Sequence, residues 1–255
     1  MSAAPAPVRM SFRRRPLVFA ASVLAVLGAP SPATAAVVER VTIGRSVQGR
    51  DLKAVNIGAA SHQTRVLIIG CIHGNECAGK AIVRELKEMD SPKGYELWIV
   101  RDLNPDGSRI GTRQNARGVD LNRNFRAGWR SIGAPGDTYH SGSRPFSEPE
   151  SRAARDLIKE LKPDVTIWYH QAMSLVTKHK RHRRVQRHYA EAVGLPWVRL
   201  DPLPGTATRW QNKRFPGQIS FVVELPSGSL TTASARRHAR AVRSTGRLWN
   251  RHRSP

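Results

Sequence analysis

The sequence predicts an α/β fold built on a mixed, mostly parallel sheet with helices on both faces. Three observations lead there. Short apolar and β-branched runs alternate with helical patterns along most of the chain, the order that gives parallel sheets. Val66–Ile69, Leu97–Val100 and Val165–Tyr169 are apolar without alternation, as expected of central strands buried on both faces. Clusters of Gly, Asn and Pro separate the runs and supply the turns. A chain of 255 residues with 40% apolar content can close one core of this kind.

The elements follow in order. Residues 1–35 read as a signal peptide. Arg9 and Arg13–Arg15 form a basic start, Leu17–Leu27 is apolar but short for a bilayer, and Ala33-Thr34-Ala35 is a small-residue cleavage site. Cutting after Ala35 or Ala36 leaves a single domain over 36–255 with no transmembrane segment; an uncleaved anchor is the competing reading. Ser11–Leu17 loosely resembles a twin-arginine signal. The expected location is secreted or in the cell envelope. Val37–Ile43 and Leu52–Ile57, around Gly44 and Gly49, read as an antiparallel pair. After Val66–Ile69, Gly74 and Asn75 make a turn, and Ala78–Met89 has a helical period with Ala81, Ile82, Leu86 and Met89 on one face. Leu97–Val100 is the second central strand.

Residues 102–146 differ. They are rich in Asn, Gly, Arg and Asp and hold no period, and a long irregular segment inside a compact domain is usually functional. Ser147-Glu148-Pro149-Glu150 reads as a capping box that opens a helix to about Leu161. Val165–Tyr169 is the third central strand and ends at His170. A short helix near Val185–Val193, a strand at Trp197–Leu200 and a loop over Asp201–Gln218 follow. Ile219–Val223 is the last strand and ends at Glu224. Ser229–Trp249 is a closing helix with a basic tail.

In parallel sheets, ligands bind beyond the carboxyl ends of the strands. His73, His170 and Glu224 each lie just past a predicted strand end. His73 and Glu76 alone carry little weight, because nine histidines and ten glutamates can supply such a pair by chance. With His170 they become a His₂Glu set, which suits one catalytic zinc ion with an open position. Glu224 is then the candidate general base, its pKa raised by partial burial. The segment "GTRQNARGVDLNRNF" supplies Arg113 and Arg117 as oxyanion donors and the pair Asn122 and Arg123 to clamp a carboxylate. Asp120 is placed to fix the tautomer of a ligating histidine.

"HGNE", "NPDG", "TRQNARGVDLNRNF", "SEPE", "WYHQ" and "VVELP" occur in the order and approximate spacing of the zinc carboxypeptidase family. Over roughly residues 65–230 the chain resembles that family, and within it the murein peptide amidase branch. The resemblance implies an eight-stranded sheet, zinc ligands His73, Glu76 and His170, and Glu224 as catalytic base and later proton donor. It implies Arg113 at the scissile carbonyl, Asn122 and Arg123 on the substrate carboxylate, and Asp120 behind the first zinc histidine. Two departures stand out. The family's mobile tyrosine precedes its catalytic glutamate, but this chain has no tyrosine after Tyr189. Gln171 stands where the amidase branch carries an acid. Arg209 falls in the specificity loop, where it would favour an acidic or zwitterionic side chain.

The charge sets a further boundary. There are 42 basic and 19 acidic residues, and the leader holds four arginines and no acid, so the mature chain keeps +19. Such a field concentrates polyanions, with anionic cell-wall polymers as candidate partners. The basic residues are dispersed and no nucleic-acid module signature occurs, so no specific nucleic-acid partner is expected. The run Thr177–His188 reads as a solvated basic loop and helix face that could rim the site. Cys71 and Cys77 flank the motif, and a disulfide and two free thiols both stay open. The expected protein is a monomeric, exported zinc metallopeptidase acting on a peptide or murein peptide, at the γ-D-glutamyl–diaminopimelate bond. A general carboxypeptidase on L-peptides, an N-acyl-amino-acid deacylase, and an inactive wall- or polyanion-binding protein are the alternatives.

Overall fold

The computed structural model describes residues 39–58 and 64–253, so the expected signal peptide lies outside the described residues. Eight strands form one sheet in the order β1-β2-β4-β3-β5-β8-β6-β7. They are β1 (Glu39–Arg45), β2 (Asp51–Asn56), β3 (Arg65–Ile69), β4 (Glu96–Val100), β5 (Val165–Gln171), β6 (Leu175–Thr177), β7 (Trp197–Val198) and β8 (Ile219–Leu225). The central strands β4, β3, β5 and β8 are parallel, while β1, β2 and the β6–β8 pairing add antiparallel edges. The eight-stranded mixed sheet expected from the sequence is therefore present. β3 and β4 are apolar at almost every position because both faces are covered.

Among the described residues six helices complete the fold: α1 (Gly79–Glu88), α2 (Pro105–Ile110), α3 (Pro149–Leu161), α4 (Arg183–Val193), α5 (Ala207–Arg214) and α6 (Thr232–Arg253). One core holds the buried faces of α1, α4 and α6 against Ile68, Ile99, Ile167 and Phe221. The other sets α3 and α5 against Leu67, Ile69 and Trp168, with Phe125 and Phe146 supplied by the long irregular segment. Phe125 meets Phe146, Trp168 and Trp210 at ring-centre distances of 5.4, 6.1 and 5.7 Å, aromatic contacts that anchor a loop otherwise poor in apolar residues. Among the described residues no helix is long and apolar enough to cross a membrane.

Three local expectations need correction. The capping box does not form: Glu148 is the N-cap and its side chain makes no capping bond. Pro149 takes the first helical position, and Glu150 is spent on tertiary contacts, accepting from the Val47 N–H at 3.0 Å and from Asn115 at 3.0 Å. The loop 201–218 contains α5, and residues 102–146 contain α2 and a 3-10 turn at Leu121–Arg123. The basic tail is helical, since α6 runs on through Arg253.

Candidate active site

The chain leaves β3 at Ile69 and turns sharply before α1. The Glu76 N–H donates to the His73 carbonyl at 3.0 Å, which puts both side chains on one side of the turn. Gly74 is required there, since a Cβ would lie 2.0 Å from the Gly107 carbonyl carbon. Gly79 lets α1 start against the sheet, where a Cβ would meet the Gly70 carbonyl oxygen at 2.3 Å. Cys71 and Cys77 are joined as a disulfide across this turn.

His73 and His170 come from neighbouring parallel strands and meet at Glu76. His73 Nδ1 is 2.9 Å from Glu76 Oε2, and His170 Nδ1 is 3.2 Å from both that oxygen and His73 Nδ1. All three residues are buried. His73 Nε2 lies 2.8 Å from Asp120 Oδ1, whose same oxygen accepts from the Asn122 N–H at 2.8 Å. That bond holds the ring proton on Nε2 and leaves Nδ1 bare. Ring nitrogens and a carboxylate oxygen therefore converge on one point, an arrangement that calls for a cation. Zinc, with bonds of about 2.0–2.1 Å to such donors, fits this triad.

The electrostatics agree with the donor geometry. Burial pushes the Glu76 carboxyl up, but the adjoining His170 and His73 rings outweigh it and hold the group well below the usual range. Asp120 behaves alike: burial is offset by His73 and then by the Arg113 and Arg123 guanidiniums. Burial lowers His170 to about 4, which favours the neutral ring that a metal needs. Arg113 donates from Nε to Asp120 Oδ2 at 3.0 Å and from Nη1 to Glu76 Oε1.

Glu224 pairs in register with His170 on β8. Its Oε2 is buried with no hydrogen-bond partner among the described residues. Burial, with the charge of Glu76 second, pushes its pKa up to about 7. Asn122, His170 and Glu224 face a cavity of about 430 Å³ that also borders Arg209.

The zinc carboxypeptidase family model matches residues 31–200, two thirds of the sequence. The chain belongs to the zinc carboxypeptidase family. Murein peptide amidase A of Escherichia coli K12 is 31% identical over 166 residues, 61% of this chain and 68% of that protein. Carboxypeptidase B of Astacus astacus is 27% identical over 154 residues, 49% of this chain and 51% of that protein. The crystal structure of murein-tripeptide amidase from Escherichia coli O157 superposes with a TM-score of 0.67 at 26% identity, covering 86% of this chain and 94% of that one. Membership makes this chain a zinc metallopeptidase, with His73, Glu76 and His170 as the triad able to hold the ion.

Against that family background, Gln171 acquires a physical reason. Its Oε1 accepts from the Ala78 N–H at 3.0 Å, and its Nε2 donates to the Pro226 and Gly228 carbonyls at 2.8 and 2.7 Å. A carboxylate has no donor for those carbonyls, so here the amide ties β5 to α1 and to the exit of β8. Asn122 is anchored too: its Oδ1 accepts from the Ala207 N–H at 3.0 Å. Arg123 is buried, and its guanidinium lies 4.8 Å from the Tyr139 ring centre, which also sits 5.5 Å from that of Arg113. Sequence reasoning missed Tyr139, because the loop that presents it has no period to place it. It treated Lys178, Lys180 and Arg181 only as a rim, whereas with Lys213 they line the cavity itself. Arg209 is exposed at the cavity edge.

Proposed function

We propose that this zinc carboxypeptidase is an exported amidase of peptidoglycan stem peptides, cutting the γ-D-glutamyl–diaminopimelate bond. The observation that carries the reading is the charge of the cavity beside the triad. Lys178, Lys180, Arg181, Arg209 and Lys213 line it, against two acids, Asp201 and the candidate base Glu224. This wall suits a side chain that ends in both a carboxylate and an ammonium, as diaminopimelate does, and repels lysine and arginine side chains. The murein peptide amidase relatives support the same substrate class. Export rests on the composition of residues 1–35.

In this reading His73, Glu76 and His170 hold the ion, which when bound supplies Lewis acidity toward a carbonyl and toward water. Glu224 takes the proton of the attacking water and passes it to the leaving amine, and a pKa near 7 suits both directions. Arg113, already fixed by Asp120 and Glu76, presents positive charge to the developing oxyanion. Arg123 and Asn122 bind the substrate's free carboxylate, and the Tyr139 ring lies against the Arg123 guanidinium.

The test uses purified protein on murein tripeptide and on hippuryl-type dipeptides, with and without a chelator. Release of diaminopimelate from the tripeptide, stopped by chelation, is expected. Turnover of the dipeptides alone would reassign the enzyme as an ordinary carboxypeptidase. Zinc-loaded protein inert on both would favour a binding protein.

A further inference from the structure

A second charged feature lies on the outer helical layer, away from the triad. Arg237, Arg240, Arg243, Ser244 and Arg247 of α6 line a groove of about 580 Å³, with Met89, Ala192 and Ala241 as its apolar part. The spacing of three, three and four residues sets the arginines along one helical stripe. From Arg237 to Arg247 the stripe runs about 15 Å.

The charges are uncompensated. Among the described residues, none of the four arginines has a carboxylate within ion-pair distance. Of the nearby acids, Glu85 pairs with Arg236 at 2.9 Å and Glu191 with Arg187 at 2.7 Å, while Glu88, which borders an adjacent pocket with Arg240, forms no ion pair with it among the described residues. Arg243 is only 8% exposed. Its Nη1 donates to the Asp90 carbonyl, a neutral acceptor, and its buried Nε has no hydrogen-bond partner among the described residues. Burying a guanidinium beside three others without a counter-charge is costly, and an anion in the groove would offset that cost.

We propose that this groove binds a chain polyanion bearing repeated phosphate groups. Guanidinium forks match phosphate oxygens two at a time, which favours phosphate over a point-charge ligand. A stripe of this length exceeds one phosphate, so a repeating polymer fits it better than a free ion. A lipid surface fits less well. The large exposed apolar side chains of the described residues, Ile110, Tyr139, Met173, Leu200 and Leu203, all lie outside α4 and α6.

The experiment measures binding of fluorescein-labelled inorganic polyphosphate to the zinc-loaded mature protein by anisotropy, over a salt series. The variant R237Q/R240Q/R247Q removes three exposed charges and spares buried Arg243. The control K162Q/R184Q/R214Q removes three from the other basic groove, whose wall includes Asp164. The groove variant should lose at least tenfold in affinity at 0.15 M salt and show a flatter salt dependence, about three fewer contacts' worth. The control should lose less than threefold, and both should turn over murein tripeptide at the wild-type rate. Equal losses in the two variants would overturn the proposal in favour of a diffuse field. So would a wild-type protein that fails to bind polyphosphate, or one that binds phosphatidylglycerol vesicles more tightly at equal phosphate.

Discussion

Two buried histidine clusters sit on opposite faces of one strand. Tyr169 and His170 are consecutive in β5, so their side chains point to opposite sides of the sheet. On one side His170 joins His73, Glu76 and Asp120. On the other, the Tyr169 hydroxyl lies 2.8 Å from that of Tyr189, which lies 2.9 Å from His238 Nδ1. Burial lowers His170 and His238 alike to about 4. Burial and a shifted pKa therefore do not separate a ligand site from a packing site. The partners do. The hydroxyl chain gives each hydroxyl proton an acceptor and ends on the His238 ring nitrogen. At His170 the acceptors converge, and among the described residues no single donor reaches all of them; the Gln171 N–H, 3.3 Å away, reaches Glu76 Oε2.

The sharpest way to break this contrast is to delete each histidine. His170→Ala should reduce zinc from one ion per chain to none and abolish hydrolysis, whereas His238→Ala should keep the ion; metal analysis after gel filtration reads both. Zinc retained by the His170 variant would collapse the distinction. Glu224→Gln comes next. It should keep zinc and lose about 10²–10⁴ in turnover, the span of general acid–base catalysis, measured on murein tripeptide.

The packing cluster should answer in stability instead. Tyr189→Phe leaves Tyr169 and His238 without their shared partner and should cost about 1–3 kcal/mol in denaturant unfolding, with zinc content unchanged. The pH dependence has a definite sign. The folded pKa of His238 is lowered to about 4 from its ordinary 6.5, so between these values the unfolded chain binds the extra proton. Stability from this residue is complete above the upper value and is lost as pH falls through the window, by at most about 3 kcal/mol. His238→Gln should flatten that part of the curve relative to wild type under identical conditions. The smallest effect is expected at Arg209, which is exposed. Arg209→Ala should raise KM for the diaminopimelate-containing peptide a few-fold and leave kcat unchanged. A fall in kcat instead would place Arg209 nearer the reacting atoms than the cavity edge.

Much of the sheet was legible because its strands are written in runs. The central strands begin and end within two residues of the expected positions, since a strand buried on both faces must be apolar throughout. β6 escaped because three residues carry no period, and α5 because its polar sequence takes its helical state from Trp210 packing on Phe125. The Ser-Glu-Pro-Glu signal marked the start of α3 to within two residues but misassigned the cap, because a local pattern cannot report that Glu150 is claimed by Val47 and Asn115, far away in sequence.

The sequence by itself determined the family, the sheet and the residue types at the strand ends, because hydrophobic period and strand polarity are local properties. Only the tertiary structure decided which atoms meet. The ring proton of His73 is set by Asp120, 47 residues away, and the Glu76 carboxylate by Arg113, 37 residues away. The same holds for the cysteines, which are joined because the turn between β3 and α1 brings them together. It holds as well for the basic run at 177–188. Its composition is equally consistent with a solvated face, and its first residues line the cavity because the β6–β8 pairing carries them beside Glu224.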